Sequence, residues 1–486
     1  MKLNVRKTIY VGIAFLIISL FWQVYDNIIA KMLINTFGLN QTWSGVVMAL
    51  DNVLALLLLP LFGALSDKTK TKYGKRTPYI FFGVIISALL FVGVAMVDSN
   101  QLKKLEEDSI PPIVTEVKEI DGVETEVFIF DYEGVEETEF LDKEEAQLAR
   151  SEVVLELTKS NYSNLIWFMI ILFFVLVAMS TFRTPAVSLM PDVTPKPLRS
   201  KANAIINLMG ALGGVIALGL MSFLAKDFNS YVLLFVVVAG LMLLLLGLFL
   251  TTVREPKLLK EIKEELEEYD TEDLETIDEE SGSEKLSPAV RRSFLLIIAS
   301  IIFWFMAYNA ATTKFSIYAQ TVLDMGFTLP LLVANAAAII CFIPIGMIAS
   351  KVGRRKTILV GIIILFVAFF LGTVATRDTK FLIFFTMSLA GIGWATINVN
   401  SYPMIVEMSK GGNIGKYTGY YYSASMAAQI VTPILSGILM DALGMRVLFP
   451  YAMVFVVLAF TTMLLVKHGD SKPIPKSRIE AFEDLD

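Results

Sequence analysis

The chain has 486 residues, of which 55% are hydrophobic and only 18% charged, with a mean hydropathy of +0.64. A water-soluble protein of this length carries about a quarter charged residues, so the composition excludes an ordinary soluble protein and points to a chain dissolved in lipid. The formal net charge of −6, with one histidine and one cysteine, leaves no support for nucleic-acid binding and rules out an internal disulfide.

Crossing the hydrocarbon core takes about 20 mostly apolar residues. Twelve such stretches follow one another, near 9–33, 44–66, 78–97, 163–189, 203–225, 231–253, 294–321, 328–350, 357–375, 381–405, 417–440 and 447–466. Each must satisfy its backbone hydrogen bonds internally, so each is expected to be an α-helix. The first is too long for a removable signal and has no small-residue cleavage site. Cys341 falls in the eighth.

Lys and Arg gather in short loops after even-numbered spans: KTKTKYGKR after the second, PKPLRSK after the fourth and KVGRRK after the eighth. INTFGLNQTW, after the first, has none. The positive-inside rule then places both termini in the cytoplasm of a multi-pass cell-membrane protein, with RDTK at 377–380 as the one loop against the pattern.

Between spans three and four, residues 98–160 hold 19 Asp/Glu against 6 Lys/Arg. VTEVKEI-DG-VETEVFIF alternates around Asp121-Gly122, a two-residue hairpin turn, and DKEEAQLARSEVVLELTKS is helical. A small extracellular α/β insertion is expected, its hairpin packed on the following helix. Residues 254–292 form an acidic cytoplasmic linker with 14 Asp/Glu against 7 Lys/Arg; its amphipathic stretch carries Leu258, Leu259, Ile262 and Leu266. Residues 468–486 form a cytoplasmic tail.

The chain repeats itself. FWQVYDN at 21–27 matches FWFMAYN at 303–309, Gly63 in PLFGALSDK matches Gly346 in IPIGMIASK, and residues 183–192 match 398–407. With the insertion set aside, 1–253 and 293–467 become two parallel six-helix halves, an all-α membrane plan of twelve transmembrane helices. Transporters built this way bind solute near the bilayer midplane, where the halves meet.

Ionisable residues inside the spans are few: Asp26, Asp51, Arg183 and Lys314, with Lys31 nearer the surface. A charge at mid-bilayer costs about 2.5–3.5 kcal/mol, so such groups face internal cavities. Asp26 and Asp51 lie at similar depth, roughly 10 Å below the outer surface, and are candidates to carry a coupling ion. Lys314 approaches from the other half as a candidate partner of Asp51. Trp22, Gln23, Asn27, Asn52, Arg183, Tyr308, Asn309, Lys314, Trp394, Asn398 and Gln429 are the candidate solute-cavity residues. Amides and carboxylates suit hydroxyls, and indole faces suit the C–H side of a sugar ring. Gly210, Gly213 and Gly214 are read as close-packing positions.

GALSDKTKTKYGKRTP at 63–78 joins spans two and three and places Gly63, Asp67, Gly74, Lys75 and Arg76 at a cytoplasmic gate that must break as the halves rock. The second half echoes it as GMIASKVGRRK, with Ser350 where Asp67 stands. This loop resembles the signature of the major facilitator superfamily. With Lys75-Arg76-Thr77-Pro78, PAVSLMPDVTP and FWFMAYNA it is similar to the glycoside–cation symporter branch, especially sucrose/proton symporter-like bacterial members. The resemblance implies the superfamily fold, alternating access and glycoside uptake with a cation. Sodium-coupled melibiose-type members carry aspartates where this chain has Ala55 and Leu59, which leaves Asp26 and Asp51 as candidate proton carriers.

The expected function is proton-coupled symport of a small glycoside or related polar solute, by a monomer embedded in the lipid bilayer. The alternatives are a proton-coupled exporter of drugs or metabolites and a non-transporting receptor. The coupling ion is a proton, with sodium as the alternative. No cofactor, metal or nucleic-acid partner is expected, and no enzyme: nucleotide loops and metal spacings are absent, and His468 lies in the tail.

Overall fold

A computed structural model describes residues 4–120, 123–133, 135, 138–194, 199–225, 230–268, 288–407 and 414–468. Among these, eleven helices are long and apolar enough to cross a membrane. In the first half these are α1 (Val5–Val24), α2 (Gln41–Lys68), α3 (Thr77–Glu107), α5 (Ser163–Asp192), α6 (Arg199–Leu224) and α7 (Val232–Thr252). In the second they are α9 (Pro288–Thr313), α12 (Arg354–Val374), α13 (Leu382–Glu407), α14 (Ile414–Leu443) and α15 (Leu448–Leu464). The twelfth is α11 (Thr328–Val352), whose described apolar stretch is shorter, Thr328–Phe342. The expected twelve-helix fold is the observed one.

Helix starts are written in side chains. Asn4 caps α1 by accepting the Lys7 N–H, Asn40 caps α2 by accepting the Trp43 N–H, and Pro78 stands in the first turn of α3. Past Val24, α1 continues as two π-helical turns, Tyr25–Ile29 and Met32–Thr36. The seventh span differs from the continuous helix expected over 294–321. It breaks at Lys314, and a short α10 (Phe315–Thr321) follows.

Two compact units divide the chain. The first comprises Met1–Thr271, Thr312–Leu332 and Pro433–Val447; the second comprises Glu272–Ala311, Val333–Thr432 and Leu448–Asp486. In the first unit α1 packs along α6 and α3 along α5. The α1–α6 seam is close because Gly213 meets the backbone of Leu16, where a Cβ would collide with the Leu16 carbonyl. Within the second unit α12 packs along α13 and against α15.

The insertion holds a three-stranded antiparallel sheet of β1 (Val114–Ile120), β2 (Val123–Ile129) and β3 (Glu139–Phe140), followed by α4 (Lys143–Ser160). The β1–β2 register runs from Val114↔Ile129 to Ile120↔Val123. The turn expected at Asp121-Gly122 lies outside the described residues. Phe128, Phe130 and Phe140 of the sheet side pack with Ala146 and Val154 of α4 and with Leu105 and Ile110. Only β3 was not legible, because two residues carry no alternation. In the linker, α8 (Glu255–Glu268) is present, and Glu261 pairs with Lys7 at 2.5 Å. Linker residues 269–287 and tail residues 469–486 lie outside the described residues.

Candidate functional site

In the first unit the polar cluster is built by α1, α2 and α5. Trp22, Gln23, Asp26 and Asn27 are spaced three to four residues apart and share one face of α1. Asp26 lies in the π-helical turn Tyr25–Ile29, a backbone departure that recurs at functional sites. Asp26 is half-buried and lies within electrostatic range of Asp51 and of Arg183. Asp51 in turn feels Arg183. Both carboxylates thus lie within electrostatic range of one guanidinium. The Asp51 Oδ1 accepts the Asn52 backbone N–H at 2.6 Å and its amide Nδ2–H at 2.7 Å. Arg183 lies over the Trp22 indole, 5.5 Å from the ring centroid.

Several polar atoms here are buried and open to a partner. Among the described residues Trp22 Nε1, Tyr25 OH and Asn27 Oδ1 make no hydrogen bond, while the Asn27 Nδ2 donates to the Gln23 carbonyl at 2.8 Å. Each such orphaned group costs about 1–3 kcal/mol.

Lys314 stands elsewhere. Its Nζ donates to the Gln41 carbonyl at 3.0 Å and the Gln41 Oε1 at 3.1 Å, with Asp441 as its negative neighbour. Gln41 opens α2 ten residues before Asp51, about 15 Å along the helix, so Lys314 is not the partner of Asp51 in this structure. Asp441 accepts the backbone N–H groups of Gln41 and Thr42, both at 2.8 Å.

The second unit carries an aromatic and amide group on α9, α13 and α14. Tyr308 and Trp394 stack with centroids 4.1 Å apart and planes 7° from parallel, and Phe305 meets Trp394 edge-on at 5.0 Å. Asn309 follows Tyr308, and Asn398 lies one turn beyond Trp394 on α13. Gln429 on α14 donates its Nε2–H to the Ser425 carbonyl at 3.2 Å. These five candidates are half-buried, whereas Trp304 is only 1% exposed and belongs to the packed interior.

At the other end of the first unit, the 63–78 loop forms a charge knot. Arg76, 4% exposed, donates from Nε to Asp192 at 2.9 Å and from NH2 to Asp67 at 2.5 Å; its NH1 reaches the Ser66 hydroxyl. Lys75 Nζ joins Asp192 at 3.1 Å. Glu255, fully buried at the start of α8, accepts the backbone N–H groups of Lys75, Arg76 and Thr77 and the Thr77 hydroxyl, at 2.8–3.1 Å. Gly74 makes this possible with a φ of +108°; a Cβ there would meet the Glu255 carboxylate. Gly63 packs beside Thr184. The second repeat preserves the left-handed glycine, Gly353 at φ +100°, before Arg354 and Arg355; the side chain of Ser350 lies outside the described residues.

Sequence reasoning missed Ser66, Asp192 and Glu255. The signals for them are weak: Asp192 ends α5 after Pro191, and Glu255 begins a helix before Pro256.

Comparison with known proteins matches residues 154–346 and 332–484 to the Major Facilitator Superfamily, and residues 10–102 to the MFS/sugar transport protein family. The xylose transporter XylE from E. coli has the same fold: 14% identity over 98% of each chain, with a TM-score of 0.63. A bacterial homologue of the iron transporter ferroportin aligns over 95% of this chain and 99% of its own at 10% identity, TM-score 0.63. The nucleoside transporter NupG aligns over 96% and 100% at 14% identity, TM-score 0.54. The chain, a multi-pass membrane protein, belongs to the major facilitator superfamily of transporters.

Proposed function

We infer that the protein is a secondary active transporter of the glycoside–cation symporter branch, carrying a small glycoside or related polar solute with a proton by alternating access. The observation that carries this is the Asp26–Asp51–Arg183 cluster. Two carboxylates facing one guanidinium leave one negative charge uncompensated when both are ionised. In a low-dielectric site that charge calls for a cation, and the proton is the smallest one. The sugar-transport family match, over residues 10–102, covers the helices that bear Asp26 and Asp51. The aspartates of sodium-coupled members are replaced by Ala55 and Leu59, which favours the proton.

Solute recognition on this reading draws on the open Asn27 Oδ1, Trp22 Nε1 and Tyr25 OH of the first unit. The test is uptake of candidate sugars into proteoliposomes under an imposed pH gradient, after a thermal-shift screen to find ligands. Asp51→Asn is expected to reduce proton-driven uptake at least about tenfold, the factor that follows from losing about 1.4 kcal/mol of coupling, while leaving solute-induced thermal stabilisation in place. If no sugar stabilises the protein or moves protons, the solute assignment fails; if Asp51→Asn keeps full proton-driven uptake, Asp51 is not the carrier.

A further inference from the structure

A second set of polar contacts, outside the solute and proton cluster, gathers at the start of α4. Three consecutive side chains there reach three partners that belong by sequence to the second repeat. Asp142 faces Arg446 at 3.5 Å, Lys143 forms an ion pair with Asp324, and Glu144 accepts the backbone N–H of Met445. The partners are held in shape by their own backbones. Asp324 takes a left-handed φ of +46°, and Gly444, at φ +83°, turns the Met445 N–H toward Glu144. Asp142 also caps α4, accepting the Glu144 N–H at 3.0 Å, so the cap and the reach are coupled in one residue.

The body of α4 is fastened differently. Gln147 donates to the Asn35 Oδ1 at 3.1 Å, and Arg150 donates to the Asn35 carbonyl at 2.8 Å and to the Pro111 carbonyl at 3.1 Å. Gly38 lies directly on the backbone of Ser151 and Leu155. Gln147 is 6% exposed and Arg150 3%, and the aromatic core of the sheet covers the other side. The tip is wetter in part: the side chains of Arg446 and Asp142 are 71% and 34% exposed, while those of Lys143 and Asp324 are 12% and 35% exposed. A helix with one buried, multiply bonded attachment and one partly solvated, charge-based attachment gives up the second more readily than the first.

We propose that α4 is a latch: a rigid extension of the first repeat whose Asp142-Lys143-Glu144 tip holds the α10–α11 and α14–α15 turns and sets the balance between closed and open forms on the insertion side. This rests on the alternating-access reading above. The sequence places the same insertion at the end of α3 and the start of α5, so the latch is hung on two spanning helices of one repeat.

The experiment uses the full chain in lipid nanodiscs, in a Cys341→Ser background with spin labels attached after Leu148→Cys and Leu329→Cys, sites 57% and 55% exposed. Pulsed dipolar spectroscopy then reads the two distance populations between α4 and the start of α11. Lys143→Ala is expected to raise the longer-distance population about two- to fivefold, the range of a partly exposed ion pair, and Glu144→Gln, which removes the charge that accepts the Met445 N–H, is expected to raise it in the same direction. The exchange Lys143→Asp with Asp324→Lys is expected to return it toward the wild-type ratio. Because Lys143 and Glu144 are half-buried, the circular dichroism of each variant provides the folding control. Two interconverting distances whose ratio the tip variants leave unchanged overturn the latch alone. A single distance in the wild type with and without sugar, at every pH tried, overturns the alternating-access reading and the latch with it.

Discussion

At Glu255 one carboxylate serves four donors at the start of α3, and the helix dipole favours its charge there. Removing it in Glu255→Ala strands buried N–H groups at about 1–3 kcal/mol each, less whatever water regains. Gly74→Ala meets two obstacles, the left-handed φ of +108° and the Glu255 carboxylate, and backbone strain alone is about 1–3 kcal/mol. Both single variants are expected to lower the thermal unfolding midpoint in detergent. The double variant is expected to cost less than their sum, because the collision vanishes with the carboxylate; strict additivity would show that Gly74 and Glu255 do not interact. The loop's own residues were legible because they recur as a contiguous signature. Their partners were not: Asp192 and Glu255 lie 116 and 179 positions from Arg76, and no local pattern announces a contact at that range.

Among the elements, hydropathy alone was enough to mark the spanning helices, since lipid permits few other backbones. Alternation marked β1 and β2, with Val114–Ile120 and Val123–Ile129 paired as the hairpin pattern requires. The break at Lys314 was invisible, because an apolar run with a single lysine reads the same whether the helix continues or restarts. Clustering of Asp26, Asp51 and Arg183 was legible in part: similar depth was inferred for Asp26 and Asp51, but the place of Arg183 beside them depends on how α5 packs on α2. In the insertion, Arg150 links α4 to two carbonyls, and burial pushes its guanidinium down to about 10. Since the folded value lies below the unfolded one, burying the cation costs stability at all pH below about 10, and the cost is relieved only as pH rises through that value. Between pH 6 and 8.5 Arg150 therefore adds no slope to the stability of the insertion. Arg150→Lys, unable to fork between both acceptors, is expected to speed proteolysis of the insertion several-fold at every pH in that window; an unchanged rate would show the two carbonyl bonds are dispensable.

For the whole molecule, the sequence repeats and the compact units divide the chain differently. Residues 312–332 and 433–447 continue the second repeat in sequence but pack within the first unit. Asp441 is one seam between them, accepting the N–H groups of Gln41 and Thr42 at the head of α2. Asp441→Ala is expected to cost about 0.5–2 kcal/mol, as the loss of a helix cap does, and to lower the unfolding midpoint measured by tryptophan fluorescence. A midpoint equal to wild type would mean that water replaces the carboxylate without loss. No pattern within either repeat pointed to this seam, because Asp441 is about 400 residues from the donors it satisfies, a separation on the order of several domain lengths.

The length of α3 has a practical consequence. Its 31 residues extend about 46 Å, some 16 Å more than the hydrocarbon thickness, and the surplus runs unbroken into the insertion. The hairpin is therefore carried at the end of a helix embedded in the bilayer. On the alternating-access reading, a tilt of about 5° about one end of α3 would move the other end by about 4 Å, so a dye on the exposed Val117, or an antibody fragment gripping that strand, is expected to report such a change from beyond the lipid.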